Sequence, residues 1–171
     1  VKSGNILLAP VPGERRLVAK LADFGTARIA PKLSLVSEMQ TRNVIGTGPY
    51  QPQEYWQSGK VSAKTDTYAF GIVLLELLTG RPPRNAQTAE PLTATLYEAL
   101  QDPRRHMQEF VDPGAANWKA KSWCKLAEIA RVCSEHAYQR RCAVADVVAE
   151  IDALAGRGAR RRGLFGLGGS R

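Results

Sequence analysis

The pattern of apolar positions predicts two short strands at the start of the chain. Residues 6–8 and 17–21 form apolar runs of strand length. Residues 9–16 lie between them and contain two prolines, a glycine and three charged side chains, which is typical of a hairpin connection. We therefore expect a small β-hairpin at the front of the domain.

Most of the other apolar residues predict helices. From 65 to 78 nearly every position is apolar, so this helix has no polar face and should lie at the centre of its domain. Gly80 and the prolines that follow it end the helix. Apolar residues at helical spacing predict further helices over 92–100, 119–133 and 144–154.

Two segments lack such a pattern. Residues 26–49 are rich in Ser and Thr and predict a long loop, which is uncommon in a compact domain unless the loop has a function. Residues 156–171 contain six glycines and five arginines, and we expect them to be disordered. The folded domain is therefore predicted to cover residues 1–155.

Composition fits one globular domain. The chain has 171 residues, of which 44% are hydrophobic, and no run approaches the roughly 18 apolar residues of a bilayer-spanning helix. The net charge of +8 owes much to the arginines of 157–171, so the body is only mildly basic. No Cys/His group has zinc spacing, and the nine-residue interval places Cys124 and Cys133 on opposite faces of a helix. With Cys142 they are interpreted as reduced thiols of an intracellular protein.

Two oxygen-bearing side chains lie at the ends of the predicted strands. Asn5 supplies an amide oxygen and Asp23 a carboxylate, and antiparallel strands can bring both to one Mg²⁺ ion. Gly25 permits a sharp turn after Asp23, and Phe24 can pack into the core beneath it. For Asp23 taken alone, the alternative is a turn-initiating carboxylate.

Four blocks, VKSGNILL, ADFGTA, GTGPYQPQEY and KTDTYAFGIVLLELLTGRPP, resemble the second half of a eukaryotic protein kinase catalytic domain. They look closest to the plant receptor-like and interleukin-receptor-associated Ser/Thr kinases, and the resemblance covers about residues 1–155. It implies a mostly α-helical C-terminal lobe with a small β-hairpin at the nucleotide-facing edge and with the N-terminal lobe absent. Because the family packs the helix at 65–78 against a helix upstream of Val1, the resemblance also implies that the present chain covers this helix incompletely. The activation segment would be 23–54.

The resemblance implies that the complete domain uses ATP and Mg²⁺. Asp23 would chelate the ion that bridges the β- and γ-phosphates, and Asn5 would hold a second ion. Lys2 would contact the γ-phosphate, and its presence favours a Ser/Thr acceptor over Tyr. As an isolated residue, Lys2 would be an ordinary surface lysine.

The same resemblance assigns residues further along the chain. Thr47 and Tyr50 belong to the segment that receives the protein substrate, where Thr47 would help to select a hydroxyl acceptor. Glu54 would form a buried structural ion pair with Arg141. The residue after Arg141 is usually Pro in this family, whereas here it is Cys142.

Two further assignments concern carboxylate and hydroxyl groups. Asp66 would accept backbone hydrogen bonds from the catalytic loop, with helix capping as the alternative. Phosphorylation can order a loop through arginines, and Arg28 and Arg42 lie near the candidate hydroxyls. The candidate phosphorylation sites of the activation segment are Ser34, Ser37 and Thr41.

Three hypotheses remain open. The first is a Ser/Thr protein kinase represented by its C-terminal half, inactive in isolation because the 171 residues contain no H-R-D triplet, glycine-rich phosphate loop or ATP-gripping strand lysine. It would work in the cytoplasm, including as the cytoplasmic part of a receptor, together with the N-terminal lobe. The second is a non-catalytic scaffold or docking module. The third, a nucleic-acid or nuclear-localisation patch at 157–162, is favoured least because Phe165 is the tail's only aromatic residue.

Overall fold

The computed structural model describes residues 1–27, 39–40, 48–115 and 118–155. This part of the chain forms seven α-helices and two small antiparallel sheets of two strands each, so the expected mostly α-helical lobe is confirmed. The strands are β1 (Ile6–Pro10), β2 (Leu17–Leu21), β3 (Met39–Gln40) and β4 (Lys60–Val61). The helices are α1 (Gln53–Ser58), α2 (Ala63–Thr79), α3 (Leu92–Thr95), α4 (Tyr97–Gln101), α5 (Pro103–His106), α6 (Ala120–Cys133) and α7 (Val144–Leu154).

The predicted hairpin is present. Strand β1 pairs antiparallel with β2, with Ile6 opposite Leu21 and Pro10 opposite Leu17. Strand β1 runs two residues further than its apolar run indicates, because the Val11 N–H bonds the Arg16 carbonyl at 3.1 Å and closes the loop. The hairpin sets the two chain segments just outside its open end side by side.

Helix α2 is central and has well-defined ends. The Ser62 side chain accepts a hydrogen bond from the Lys64 N–H at 3.1 Å, and the Thr65 hydroxyl accepts one from the Ser62 N–H at 3.1 Å. Gly80 ends the helix with a φ of +64°, a conformation in which a glycine costs least. The predicted stop at Gly80 is therefore confirmed.

Later segments of the chain bury most apolar side chains of α2, contrary to the expected incomplete cover, although Leu77 is 61% exposed. Helix α6 packs along α2, and the crossing is close at Gly71, where a Cβ would lie 2.8 Å from the Ser134 nitrogen. Leu75 and Leu78 are fully buried, whereas Leu77 remains exposed. The residues that bury α2 come from later segments of the chain, and the apolar pattern of α2 does not show which segments pack against it. The core around α2 includes Leu96, Met107, Ala127, Ile129 and Ala130.

The other helices match their predictions closely, with one interruption. Helix α7 spans the predicted range and α6 begins one residue later than expected. The single helix expected over 92–100 is two short helices, because Leu96 between them leaves the helical conformation at φ −97° and ψ 5°. Leu96 is fully buried, and a hydrophobic period alone does not show such a single-residue change of backbone direction. In the part of the chain with described coordinates, no helix has the length and apolar character needed to span a bilayer.

Candidate functional site

The hairpin brings Asn5 and Asp23 together. Asn5 immediately precedes β1 and Asp23 lies two residues after β2, and the Ala22 N–H donates to the Asn5 carbonyl at 2.8 Å. The Asn5 side-chain amide donates to Asp23 Oδ2 at 3.1 Å. Asn5 is half-buried and Asp23 is exposed, so both side chains can reach a ligand in solution.

The backbone at Asp23 has an unusual conformation. Its φ is +62°, and among the described residues only Ala89 is another non-glycine residue with a positive φ. Asp tolerates this left-handed conformation better than most residues, because its short polar side chain can bond locally. The Gly25 N–H indeed approaches Asp23 Oδ1 at 3.4 Å. The fold thus holds the carboxylate in a turn that starts with Asp23 itself.

The chemistry of this pair fits Mg²⁺ bound to phosphate. Mg²⁺ prefers oxygen ligands in an octahedral set and usually takes only one or two carboxylates from the protein, with phosphate oxygens and water as the other ligands. Asp23 offers carboxylate oxygens and Asn5 offers its amide oxygen, because the amide nitrogen is the atom bonded to Asp23. The two residues could therefore hold a metal–nucleotide complex.

Lys2 lies within one turn of this pair. Its carbonyl accepts a hydrogen bond from the Asn5 N–H at 3.0 Å, which closes the short 3₁₀ helix Ser3–Asn5. Lys2 is half-buried rather than fully solvated. The backbone of Lys2 thus belongs to the same turn as that of Asn5, one of the two candidate metal ligands.

Phe24 does not pack into the core as expected. Its side chain is 65% exposed, so that expectation is wrong for this chain. The buried clusters gather around α2, and the hairpin beside Phe24 is itself largely uncovered, with Leu7 and Leu8 exposed. Among the described residues, Phe24 is a member of neither buried cluster.

A partly buried network of hydrogen bonds connects Ser3, Tyr50 and Glu76. The Tyr50 hydroxyl donates to the Glu76 carboxylate, with both oxygens at 2.9 Å, and the Ser3 hydroxyl donates to Glu76 Oε1 at 3.1 Å. The hydroxyl oxygens of Ser3 and Tyr50 also lie 3.0 Å apart. The network joins the segment before β1, the segment before α1 and the last turn of α2. Tyr50 is only 7% exposed, so its hydroxyl is used inside the fold, where it joins these segments.

Burial changes the protonation of this network. Loss of solvent raises the pKa of Glu76 above its ordinary value, and the hydrogen bonds from Tyr50 and Ser3 oppose that shift. Burial likewise raises the pKa of Tyr50. Sequence reasoning missed Glu76, although the signal is visible, because Glu76 is the one charged residue in 67–78. A single carboxylate in an otherwise apolar central helix needs a hydrogen-bond partner.

Glu54 and Arg141 lie in contact although 87 residues separate them. Arg141 Nη1 donates to Glu54 Oε1 at 2.6 Å and Nη2 donates to Oε2 at 3.3 Å, a two-pronged pair. Arg141 also donates to the carbonyls of Lys64 at 3.0 Å and Glu135 at 2.9 Å, and its guanidinium lies over the Tyr68 ring. Arg141 is 2% exposed, so this cation and its hydrogen bonds lie in the protein interior.

Asp66 occupies the first turn of α2 with its side chain 70% exposed. The nitrogen of Val1 lies 3.9 Å from Asp66 Oδ1, so the carboxylate faces the start of the chain. Capping does not explain Asp66, because Ser62 caps this helix.

Several predicted features lie outside the described residues. They are Thr47, the candidate phosphorylation sites Ser34, Ser37 and Thr41, most of the activation segment and the tail 156–171.

Comparison with known proteins agrees with the motifs. The family model described as protein kinase domain matches residues 1–150. The chain therefore belongs to the protein kinase domain family. The helices and the hairpin described above correspond to the C-terminal lobe of that domain, as the four sequence blocks imply.

Its similar proteins are plant receptor-like kinases, as the motifs indicate. The chain is 36% identical over 164 residues to the proline-rich receptor-like protein kinase PERK8 of Arabidopsis thaliana, covering 90% of this chain and 23% of that protein. It is 34% identical over 158 residues to wall-associated receptor kinase 5 of the same plant, covering 90% and 20%. LysM domain receptor-like kinase 10 of Oryza sativa subsp. japonica is 34% identical over 162 residues, covering 90% and 26%. The chain spans about a fifth to a quarter of these relatives.

Proposed function

We propose that this chain is the C-terminal lobe of a Ser/Thr protein kinase that transfers the γ-phosphoryl group of ATP to hydroxyl groups of proteins. The observation that carries the proposal is the 3.1 Å contact between the Asn5 amide and the Asp23 carboxylate at the open end of the hairpin. Two oxygen ligands of the kind that Mg²⁺ takes are thus adjacent in a turn that the backbone holds.

Each residue near the hairpin then has a distinct task. Bound Mg²⁺ would supply charge neutralisation at the phosphate oxygens. Asp23 and Asn5 would orient the nucleotide through that ion, and the Lys2 ammonium would stabilise negative charge on the γ-phosphate. The Ser3–Tyr50–Glu76 network would hold the substrate-receiving segment against α2, because it bonds that segment directly to the central helix.

The choice of acceptor is a further part of the proposal. Lys2 and Thr47 match residues that Ser/Thr kinases carry, so the proposed acceptor is a Ser or Thr hydroxyl. Phosphorylation of Ser34, Ser37 or Thr41 would act on the activation segment, residues 23–54, which also contains Thr47. The proposal includes work in the cytoplasm, where a parent protein could be the cytoplasmic part of a receptor; the receptor kinases among the similar proteins support it.

Residues 1–171 alone are expected to transfer no phosphate. They contain neither the Asp of an H-R-D triplet nor a glycine-rich phosphate loop, and phosphoryl transfer depends on positioning by these parts. Purified 1–171 is incubated with Mg-ATP and Ser-, Thr- and Tyr-containing peptides. Incorporation of phosphate above a protein-free control would contradict this expectation.

The catalytic proposal is tested in a complete kinase domain that includes this chain. Asp23→Asn and Asn5→Ala are expected to lower kcat by about 100-fold or more, because each removes an ion ligand that acts on the transition state. Asp102→Asn changes an exposed carboxylate away from the hairpin and serves as the matched control. Unchanged Mg-ATP binding and turnover in both hairpin variants would refute the proposed metal roles. A complete domain without any Mg-ATP binding would favour the scaffold hypothesis.

A further inference from the structure

Two cysteines that the sequence keeps nine residues apart lie side by side in the fold. Cys133 is the last residue of α6, and Cys142 follows the 3₁₀ helix Tyr138–Arg140. The Cys142 N–H approaches the Val132 carbonyl at 3.4 Å, which places the two backbone segments next to each other. The two sulfur atoms are 3.6 Å apart, and both thiols are free.

We propose that Cys133 and Cys142 form an oxidisable pair, which a hydroperoxide converts into an intramolecular disulfide. A disulfide needs the sulfurs about 2.05 Å apart and the Cβ atoms about 3.5–4.5 Å apart. The present sulfur separation leaves a movement of about 1.5 Å, which is within the range of small side-chain rotations when the two backbones are already adjacent. The proposal does not depend on phosphoryl transfer.

Exposure assigns the two sulfurs different roles. Cys142 is half-buried and Cys133 is fully buried, so a peroxide reaches Cys142 first. The Cys142 thiolate attacks one peroxide oxygen, the O–O bond breaks, and the products are a sulfenic acid on Cys142 and one molecule of water or alcohol. The Cys133 sulfur then attacks the Cys142 sulfur, the S–O bond breaks, and the oxygen leaves as water with the Cys133 proton. The two thiols together lose two electrons and two protons, which the peroxide accepts.

The second step should depend on pH. Burial, followed by the neighbouring Cys142 sulfur, raises the pKa of Cys133. Cys133 therefore carries little thiolate at neutral pH, and its attack on the sulfenic acid should accelerate as the pH rises.

The disulfide would fix the loop that holds Arg141. Residues 134–141 would be enclosed by the new bond, and within this loop the Arg141 guanidinium donates to the Glu135 carbonyl at 2.9 Å. The same guanidinium reaches out of the loop to Glu54. A crosslink restricts a loop chiefly in its open conformations. Oxidation would therefore hold the loop in the arrangement that binds Glu54.

The test uses the reduced chain 1–171 treated with hydrogen peroxide, alkylated and mapped by mass spectrometry. Cys124 lies as far from Cys133 in sequence as Cys142 does, so it provides an internal control. The folded protein should form the 133–142 bond with at least a tenfold preference over any bond to Cys124. In concentrated urea the 124–133 and 133–142 bonds should form to similar extents, because only sequence separation then matters.

Three variants complete the test. Cys133→Ser and Cys142→Ser should each abolish the bond, and Cys124→Ser should leave its yield unchanged. Three alkylated thiols after peroxide treatment of the folded chain would overturn the proposal. Accumulation of sulfinic acid on Cys142 without a crosslink would overturn it as well, as would an equal mixture of disulfides in the folded protein.

Discussion

At the scale of single residues, Asp23 combines a chemical and a conformational requirement. Its carboxylate accepts from Asn5, and its backbone has a φ of +62°. A residue without a short polar side chain pays about 1–2 kcal/mol for this conformation. Asp23 therefore contributes both a carboxylate and a residue type that tolerates a positive φ. Substitutions can test these two contributions separately.

Replacing Asp23 should distinguish fold from chemistry. Asp23→Asn keeps a side chain that tolerates a positive φ, and we expect its free energy of unfolding to stay within about 0.5 kcal/mol of the unmodified chain. Asp23→Ala should lose about 1 kcal/mol, because alanine adopts this conformation poorly. Urea titration of chain 1–171 measures both. An Asp23→Ala protein as stable as Asp23→Asn would contradict the conformational argument.

Glu76 should make stability depend on pH in an identifiable direction. Burial raises the pKa of this carboxyl above the value of 4.5 that it has when unfolded, so the folded state binds more protons just above pH 4.5. The contribution of Glu76 to the free energy of unfolding is thus largest below pH 4.5 and falls as pH rises through the raised pKa.

The comparison with Glu76→Gln isolates this contribution. Glutamine does not titrate, so the difference in unfolding free energy between the two proteins should change as pH rises from 4.5 and become constant above the raised pKa. Urea titrations at a series of pH values measure that difference. A difference that stays constant over the whole range would show that Glu76 titrates as it does in the unfolded chain.

At the scale of elements, one arginine connects segments that are far apart in sequence. Arg141 bonds Glu54 in α1, the carbonyl of Lys64 in the first turn of α2 and the loop after α6. These hydrogen bonds and the Glu54 carboxylate offset the cost of removing the guanidinium from water. The packing of α1 onto the helical core should therefore depend strongly on this side chain.

Removing Arg141 should destabilise the chain far more than removing its neighbour. Arg141→Ala leaves the Glu54 carboxylate with little solvent and without its Arg141 partner. We expect the free energy of unfolding to fall by about 3–5 kcal/mol. The matched control is Arg140→Ala, whose side chain is 75% exposed and lies 3.8 Å from Glu135, with an expected loss of about 0.5 kcal/mol or less. Chemical denaturation of both variants measures the difference. Equal losses would contradict the structural role of Arg141.

At the scale of the whole molecule, the core consists of two buried clusters that share one helix. One cluster includes Leu75 and Leu78 with side chains from α3, α4, α6 and α7, and the other contains Tyr50 with Ile72 and Val73. Helix α2 contributes to both clusters. Loss of α2 would thus remove the packing partner of the hairpin side and of the helical side together.

Unfolding should therefore be a single transition for the described helical core. Trp123 is 8% exposed within the larger cluster, and it reports on that cluster by fluorescence, whereas far-ultraviolet circular dichroism reports on all helices. Because Trp56 and Trp118 are exposed, the measurement uses a protein in which both are replaced by Phe. The two signals should give the same urea midpoint. Separate midpoints would show that the clusters unfold independently.

Much of the fold follows from local sequence patterns. The end of α2 at Gly80, the range of α7 and the pairing of β1 with β2 depend on residues close together in the chain, whose spacing and turn chemistry are readable directly. The proximity of Asn5 and Asp23 follows from the hairpin for the same reason. The pairing of Glu54 with Arg141, in contrast, was expected only from resemblance to a family.

What the sequence by itself determined is the set of elements, the family motifs and the presence of two oxygen-bearing side chains, those of Asn5 and Asp23, at the hairpin ends, because each depends on neighbouring residues. Only the tertiary structure decided that Phe24 is exposed, that Glu76 binds Ser3 and Tyr50, and that Cys142 meets Cys133. These contacts depend on how separate segments pack around α2. That packing is a property of the whole core, and no periodicity within one segment records it.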